Sequence, residues 1–167
     1  LQPADALAAF SSGAIDAWVI WEPFTSQAEL EADARVLADG EGVVNGMNFQ
    51  VASDVALDDE ATEAAVEDYV QRITRAQVWA SENQQEWSEV WAEQTGLAPD
   101  VTLAAAKKRP LTVLPVGDEV VESEQQISDT FSEADLLPGE VEVADYFDGR
   151  YDEVLAPLVE QTASNAR

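Results

Sequence analysis

Apolar positions along the chain fall into two patterns: short dense runs, and longer stretches spaced three and four residues apart. Residues 5–10 predict a short helix, because Pro3 suits a first turn, Asp5 favours the positive end and Gly13 stops it. Residues 15–21 are dense in Trp, Val and Ile and close at Pro23, which predicts a mostly buried strand. Residues 25–34, rich in Ala, Glu and Leu, predict a helix, and a short strand at 35–37 is ended by Asp39 and Gly40. After a loop at 42–48 carrying two Gly and two Asn, alternation at 49–53 predicts a third strand.

The second half reads as helical. Asp58 and Asp59 can cap a long helix whose apolar face runs through Ala65, Val66, Tyr69, Val70, Ile73 and Ala76. Asn83 and Glu86 have the spacing of a capping box, Trp87, Val90 and Trp91 stripe the helix that follows, and Gly96 ends it. Trp79, Trp87 and Trp91 are expected in the core. A further helix from Asp100 stops before Pro110, with Lys107, Lys108 and Arg109 suited to its negative end. Val120, Val121, Ile127, Phe131 and Ala134 mark another, while Tyr146, Phe147 and Tyr151 are expected to anchor a last packed segment. The expectation is a helix-rich α/β chain with few strands.

Composition narrows the chemistry. With 167 residues, 46% of them hydrophobic, the chain has material for a buried core. Its 34 acidic against 8 basic side chains give a net charge of -26, which repels phosphate backbones and excludes nucleic acid as a partner. The charge is spread along the chain, as on a solvated acid-rich surface, so stability is expected to rise as salt screens self-repulsion. With neither Cys nor His, thiol nucleophiles, imidazole bases and zinc sites are excluded. Asp58 and Asp59 lack the ligand spacing of a calcium loop, and no metal, cofactor or catalytic residue is expected. No run of about 18 apolar residues occurs that could cross a bilayer. Leu1 is not an initiator Met and no export signal follows it, so the expectation is a chain that begins in mid-protein or after processing.

The run Pro3, Ala4, Asp5, Ala6, Ala8, Ala9, Phe10, Gly13, Ile15, Asp16, Ala17, Trp18, Trp21, Glu22, Pro23, Phe24 resembles, in order and spacing, the aliphatic-sulfonate, taurine and nitrate binding proteins. Further matches follow at Val36-Leu37, Asp39-Gly40, residues 48–52, Ala76 and Trp79. Others lie at residues 95–97, Arg109-Pro110, Val113, Pro115-Val116 and residues 145–148. The resemblance implies part of a type II periplasmic-binding-protein fold, an α/β architecture of two lobes that is incomplete here. Residues 1–40 would end the second lobe and carry the hinge crossover, and residues 41–167 would return to the first lobe.

It also implies a function: an extracytoplasmic solute-binding protein, periplasmic or at the cell surface, feeding an ABC permease. A sulfonate or similar small organic anion would be held between the lobes. Trp18 and Trp21 stand three apart, so on a strand only one can line the cleft; Trp21 suits the wall and Trp18 the core. Glu22 stands where the family more often has Asp; it could accept hydrogen bonds from a ligand amine but would repel a bare sulfonate. Asn48 and Gln50, flanking Phe49, are the candidate neutral donors. Two other classes compete: a catalytic relative on the same fold, of the thiamine-pyrimidine synthase or desulfinase type, and a stand-alone acidic helical interaction domain. The first relies by resemblance on Cys or His, absent here; an incomplete two-lobed chain, unlike the second, should expose apolar sheet surface and self-associate.

Overall fold

The computed structural model describes residues 1–165. In order they form α1 (Pro3–Ser11), α2 (Phe24–Glu31), α3 (Asp54–Asp58), α4 (Glu60–Glu82), α5 (Gln84–Thr95), α6 (Pro99–Lys108), α7 (Asp118–Glu133), a 3-10 turn at Val143–Tyr146, and α8 (Asp152–Asn165). The chain divides into two compact units. Among the described residues, 1–39 and 80–110 form one and 40–79 and 111–165 the other, and the second boundary falls within α4 after Trp79.

Local signals explain most helix ends. Pro3 and Pro99 occupy the first turns of α1 and α6, where a missing N–H costs nothing. Ser53 caps α3 by accepting from the Ala56 N–H, and the Asp59 carboxylate accepts from the Thr62 N–H and hydroxyl at 2.9 and 2.7 Å in the first turn of α4. The Thr62 bonds hold the Asp59 carboxyl below its ordinary range. Asn83 takes the N-cap position of α5 without its side chain closing the cap, and Gly96 ends that helix at φ +74°, a conformation that costs glycine nothing.

The first unit is built of helices around small residues. Val101, Thr102, Ala105 and Ala106 of α6 are buried together with Ser88 and Ala92 of α5, Ser26 and Ala28 of α2, Ala6 of α1 and Ala80. Small side chains let the helix backbones approach closely, and the Thr102 hydroxyl crosses from α6 to donate to the Ser88 carbonyl at 2.8 Å. In the second unit Gln125 of α7 pins the chain around the 3-10 turn. Its amide donates to the Val141 carbonyl at 2.9 Å and accepts from the Val143 N–H at 2.8 Å, with Val120 and Val143 buried nearby in sequence. Asn45 donates to Ser123 and Glu124, fastening the 42–48 loop to the same helix.

The structure corrects four expectations. None of the segments at 15–21, 35–37 and 49–53 forms a strand among the described residues. A β-ladder needs a neighbouring strand for its N–H and C=O groups, and none lies alongside; Val19 is 98% exposed and Val51 95%. The covered face of α4 is also turned from the one predicted. Val66, Val70 and Ile73 are covered, but so are Thr74, Gln77 and Val78, whereas Ala65, Tyr69 and Ala76 face solvent. Periodicity in apolar residues missed this because the covered face contains polar groups that bond to one another, such as Gln71 to Glu67 at 3.0 Å. Trp79 falls outside this face and is 43% exposed, while Trp87 and Trp91 stack at 5.8 Å as half-buried neighbours. Of the expected tail anchors, Phe147 and Tyr151 are half-buried and Tyr146 is exposed.

Candidate functional site

The residues singled out by sequence fall in both units. In the first, Trp18 is half-buried and Trp21 is 64% exposed, although the strand on which their spacing was read is absent. The Phe24 ring meets Trp21 edge-on at 6.4 Å and 76°. The turn between them is closed by the Phe24 N–H donating to the Trp21 carbonyl at 3.1 Å and by the Thr25 hydroxyl donating to the Ile20 carbonyl at 3.3 Å. The result is an exposed aromatic corner at the start of α2, held by backbone bonds.

Glu22 sits in that corner but is not a free carboxylate. Its side chain is only 15% exposed. Oε2 accepts from the Ser26 N–H at 3.1 Å, satisfying an amide in the first turn of α2 that Pro23 at the N-cap position cannot. Oε1 lies 3.4 Å from the Lys108 ammonium, which also pairs with Glu29. Burial disfavours the charge on Lys108, yet bonding to Glu29 and the attraction of Glu22 outweigh it and hold the group above its ordinary lysine range. Lys108 ends α6, where a cation also complements the helix dipole. Beside this cluster the Ser26 hydroxyl is buried without a protein partner.

In the second unit, Asn48 is exposed, and the Phe49 ring packs edge-on against Phe147 at 5.2 Å and 85°. The Gln50 side-chain Oε1 accepts from the Tyr69 hydroxyl at 3.0 Å, which leaves its amide N–H groups as the donating end of the side chain. Phe49 therefore anchors its segment while its two polar neighbours remain accessible.

Sequence reading missed a cleft of about 430 Å³ in this unit, lined by Glu63, Glu67, Arg150, Tyr151, Glu153 and Val154. The Tyr151 hydroxyl donates to Glu63 at 3.1 Å; burial and that bond push the phenol above its ordinary range. Arg150 is paired with Asp148 at 2.6 Å, and Glu63, Glu67 and Glu153 leave the cleft with more acidic than basic groups. The only sequence signal was the acidic spacing on α4, which is indistinguishable from an ordinary solvated face. Among the described residues no group of three or more metal-ligating side chains converges, and no helix is long and apolar enough to cross a membrane.

No protein-family model matches the chain. It is 33% identical over 144 residues, 86% of its length, to an Escherichia coli K12 protein named for aliphatic sulfonate binding. It is 26% identical over 153 residues, 90% of its length, to a Bacillus subtilis 168 protein of the same name. Those stretches are 44% and 45% of the two relatives, so the chain spans about half the length of the curated proteins it matches. Among solved structures, it superposes on the periplasmic aliphatic sulphonate binding protein SsuA of E. coli with a TM-score of 0.75 at 32% identity, covering 88% of this chain and 50% of that one. The alkanesulfonate-binding SsuA of Xanthomonas axonopodis pv. citri, solved bound to MOPS, gives a TM-score of 0.70 at 31% identity, covering 87% and 50%.

Proposed function

We propose that this chain, homologous over most of its length to the aliphatic-sulfonate-binding proteins and sharing the fold of about half of one, belongs to an extracytoplasmic solute receptor that delivers a sulfonate or similar small organic anion to an ABC permease. The observation that carries the reading is the joint agreement of sequence and backbone: a TM-score of 0.75 at 32% identity across 88% of the chain. Neither a resident cofactor nor a catalytic group is needed for such a role, and the named relatives are binding proteins.

In this reading residues 1–40 end the second lobe and carry the crossover, and residues 41–167 return to the first. Trp21 supplies an apolar wall, with Trp18 behind it and Glu22 fixing the corner. Asn48 and Gln50 offer neutral N–H donors to sulfonate oxygens, and Phe49 holds their segment in place.

The test is calorimetric titration of the full-length protein with short alkanesulfonates, before and after Trp21→Ala. Removing the indole should cost about tenfold in affinity, the equivalent of some tens of Å² of apolar contact. Unchanged affinity would remove Trp21 from the site, and absence of any sulfonate binding by the unaltered protein would remove the function.

A further inference from the structure

We infer that Lys108 is a positioning and specificity-determining residue for the anion site, setting through Glu22 the charge presented beside Trp21; this rests on the sulfonate-binding reading above. A half-buried carboxylate next to an anion's apolar wall is a contradiction unless something offsets it. Lys108 is the cation that does so, 3.4 Å from Glu22 Oε1, while the Ser26 N–H engages Oε2. Each oxygen therefore has a partner within the protein, which makes Glu22 less available to a ligand amine.

The offset is partial, because Lys108 is shared. Glu29 on the next turns of α2 takes the closer contact, so one ammonium serves two carboxylates and the cluster keeps a net negative charge. Glu29 thus competes for the charge that shields Glu22. Weakening Lys108 exposes the carboxylate, which repels plain sulfonates and attracts ligands that carry an ammonium; relieving Lys108 of Glu29 does the opposite. The three residues form a graded selector between alkylsulfonates and aminoalkylsulfonates.

The experiment titrates the full-length protein with ethanesulfonate and 2-aminoethanesulfonate, comparing the unaltered chain with Lys108→Met, Lys108→Arg and Glu29→Gln, with thermal melts in parallel. Lys108→Met should weaken ethanesulfonate on the order of threefold to tenfold while sparing 2-aminoethanesulfonate, as expected for one charge acting at close range in a solvated cleft. Lys108→Arg should restore the ratio of the two affinities, and Glu29→Gln should shift it the other way. A lowered melting temperature with an unchanged ratio would reduce Lys108 to a structural role and overturn the inference. Should Lys108→Met fail to fold, Glu29→Gln decides alone, an unmoved ratio counting against the proposal. If the unaltered protein binds neither sulfonate, the function itself falls; if it binds both and no variant moves the ratio, only the role of Lys108 falls.

Discussion

The α5–α6 pair and the segment at 15–21 belong to the same compact unit and are both rich in Trp and branched apolar residues, yet one has a buried interior and the other is at most half-buried. Val101 of α6 is 1% exposed, whereas Val19 is 98% exposed and Trp21 64%. A helix closes its own backbone hydrogen bonds and needs company on one face only, which α5 and α6 give each other. A strand must hand its N–H and C=O groups to a neighbour, and its side chains are covered only when a sheet and a facing layer exist. Apolar content is thus an equal invitation to burial in both regions, but only the helices can accept it with what this chain provides.

That contrast can be broken in three ways. The largest effect is expected at Val101→Ala, which deletes two methyl groups from the α5–α6 interior and should cost about 2 kcal/mol in chemical denaturation. A loss under about 0.5 kcal/mol would mean that the interior is loosely packed and the contrast overstated. Ser26→Ala is next. It removes a buried hydroxyl that has no protein partner, so stability should hold or rise by up to about 1 kcal/mol. A comparable loss would reveal a bonded partner for that hydroxyl. Smallest are Val19→Ser and Val51→Ser, both at open positions, each expected to stay within about 0.5 kcal/mol by the same measurement. Costs well beyond that would show these segments to be covered in solution.

Much of the helical architecture was legible from residue order, because its signals are local. Pro3, Asp59 and Gly96 each act on the nearest turn and mark its end wherever the helix later packs, whereas the helix read as starting at Asp100 begins at Pro99. The strands at 15–21, 35–37 and 49–53 were predicted from composition, but composition records an affinity for sheets and not the presence of one. The face of α4 was misplaced for a related reason: Glu67, Gln71 and Thr74 look like solvent residues until the fold covers them or a bond such as that between Gln71 and Glu67 satisfies them.

The candidate site divides along the same line. The different exposures of Trp18 and Trp21 do not follow from their spacing, since the segment is not a strand. The anchoring of Phe49 by Phe147, the bond from Tyr69 to Gln50 and the acidic cleft around Tyr151 could not be read from residue order either, because each partner comes from a distant stretch of chain. Glu22 illustrates both halves. Its place beside Trp21 made it a candidate acceptor for a ligand amine, and only the fold supplies Lys108 to offset it.

Residue order by itself determined where helices start and stop, the acid-rich surface and the kinship with sulfonate-binding proteins, since short-range backbone bonding and side-chain identity suffice for these. Tertiary structure alone decided which helix faces are covered, which apolar runs stay open and what charge Glu22 presents. Those depend on groups brought together from far along the chain, and electrostatic and packing energies act on distance in space.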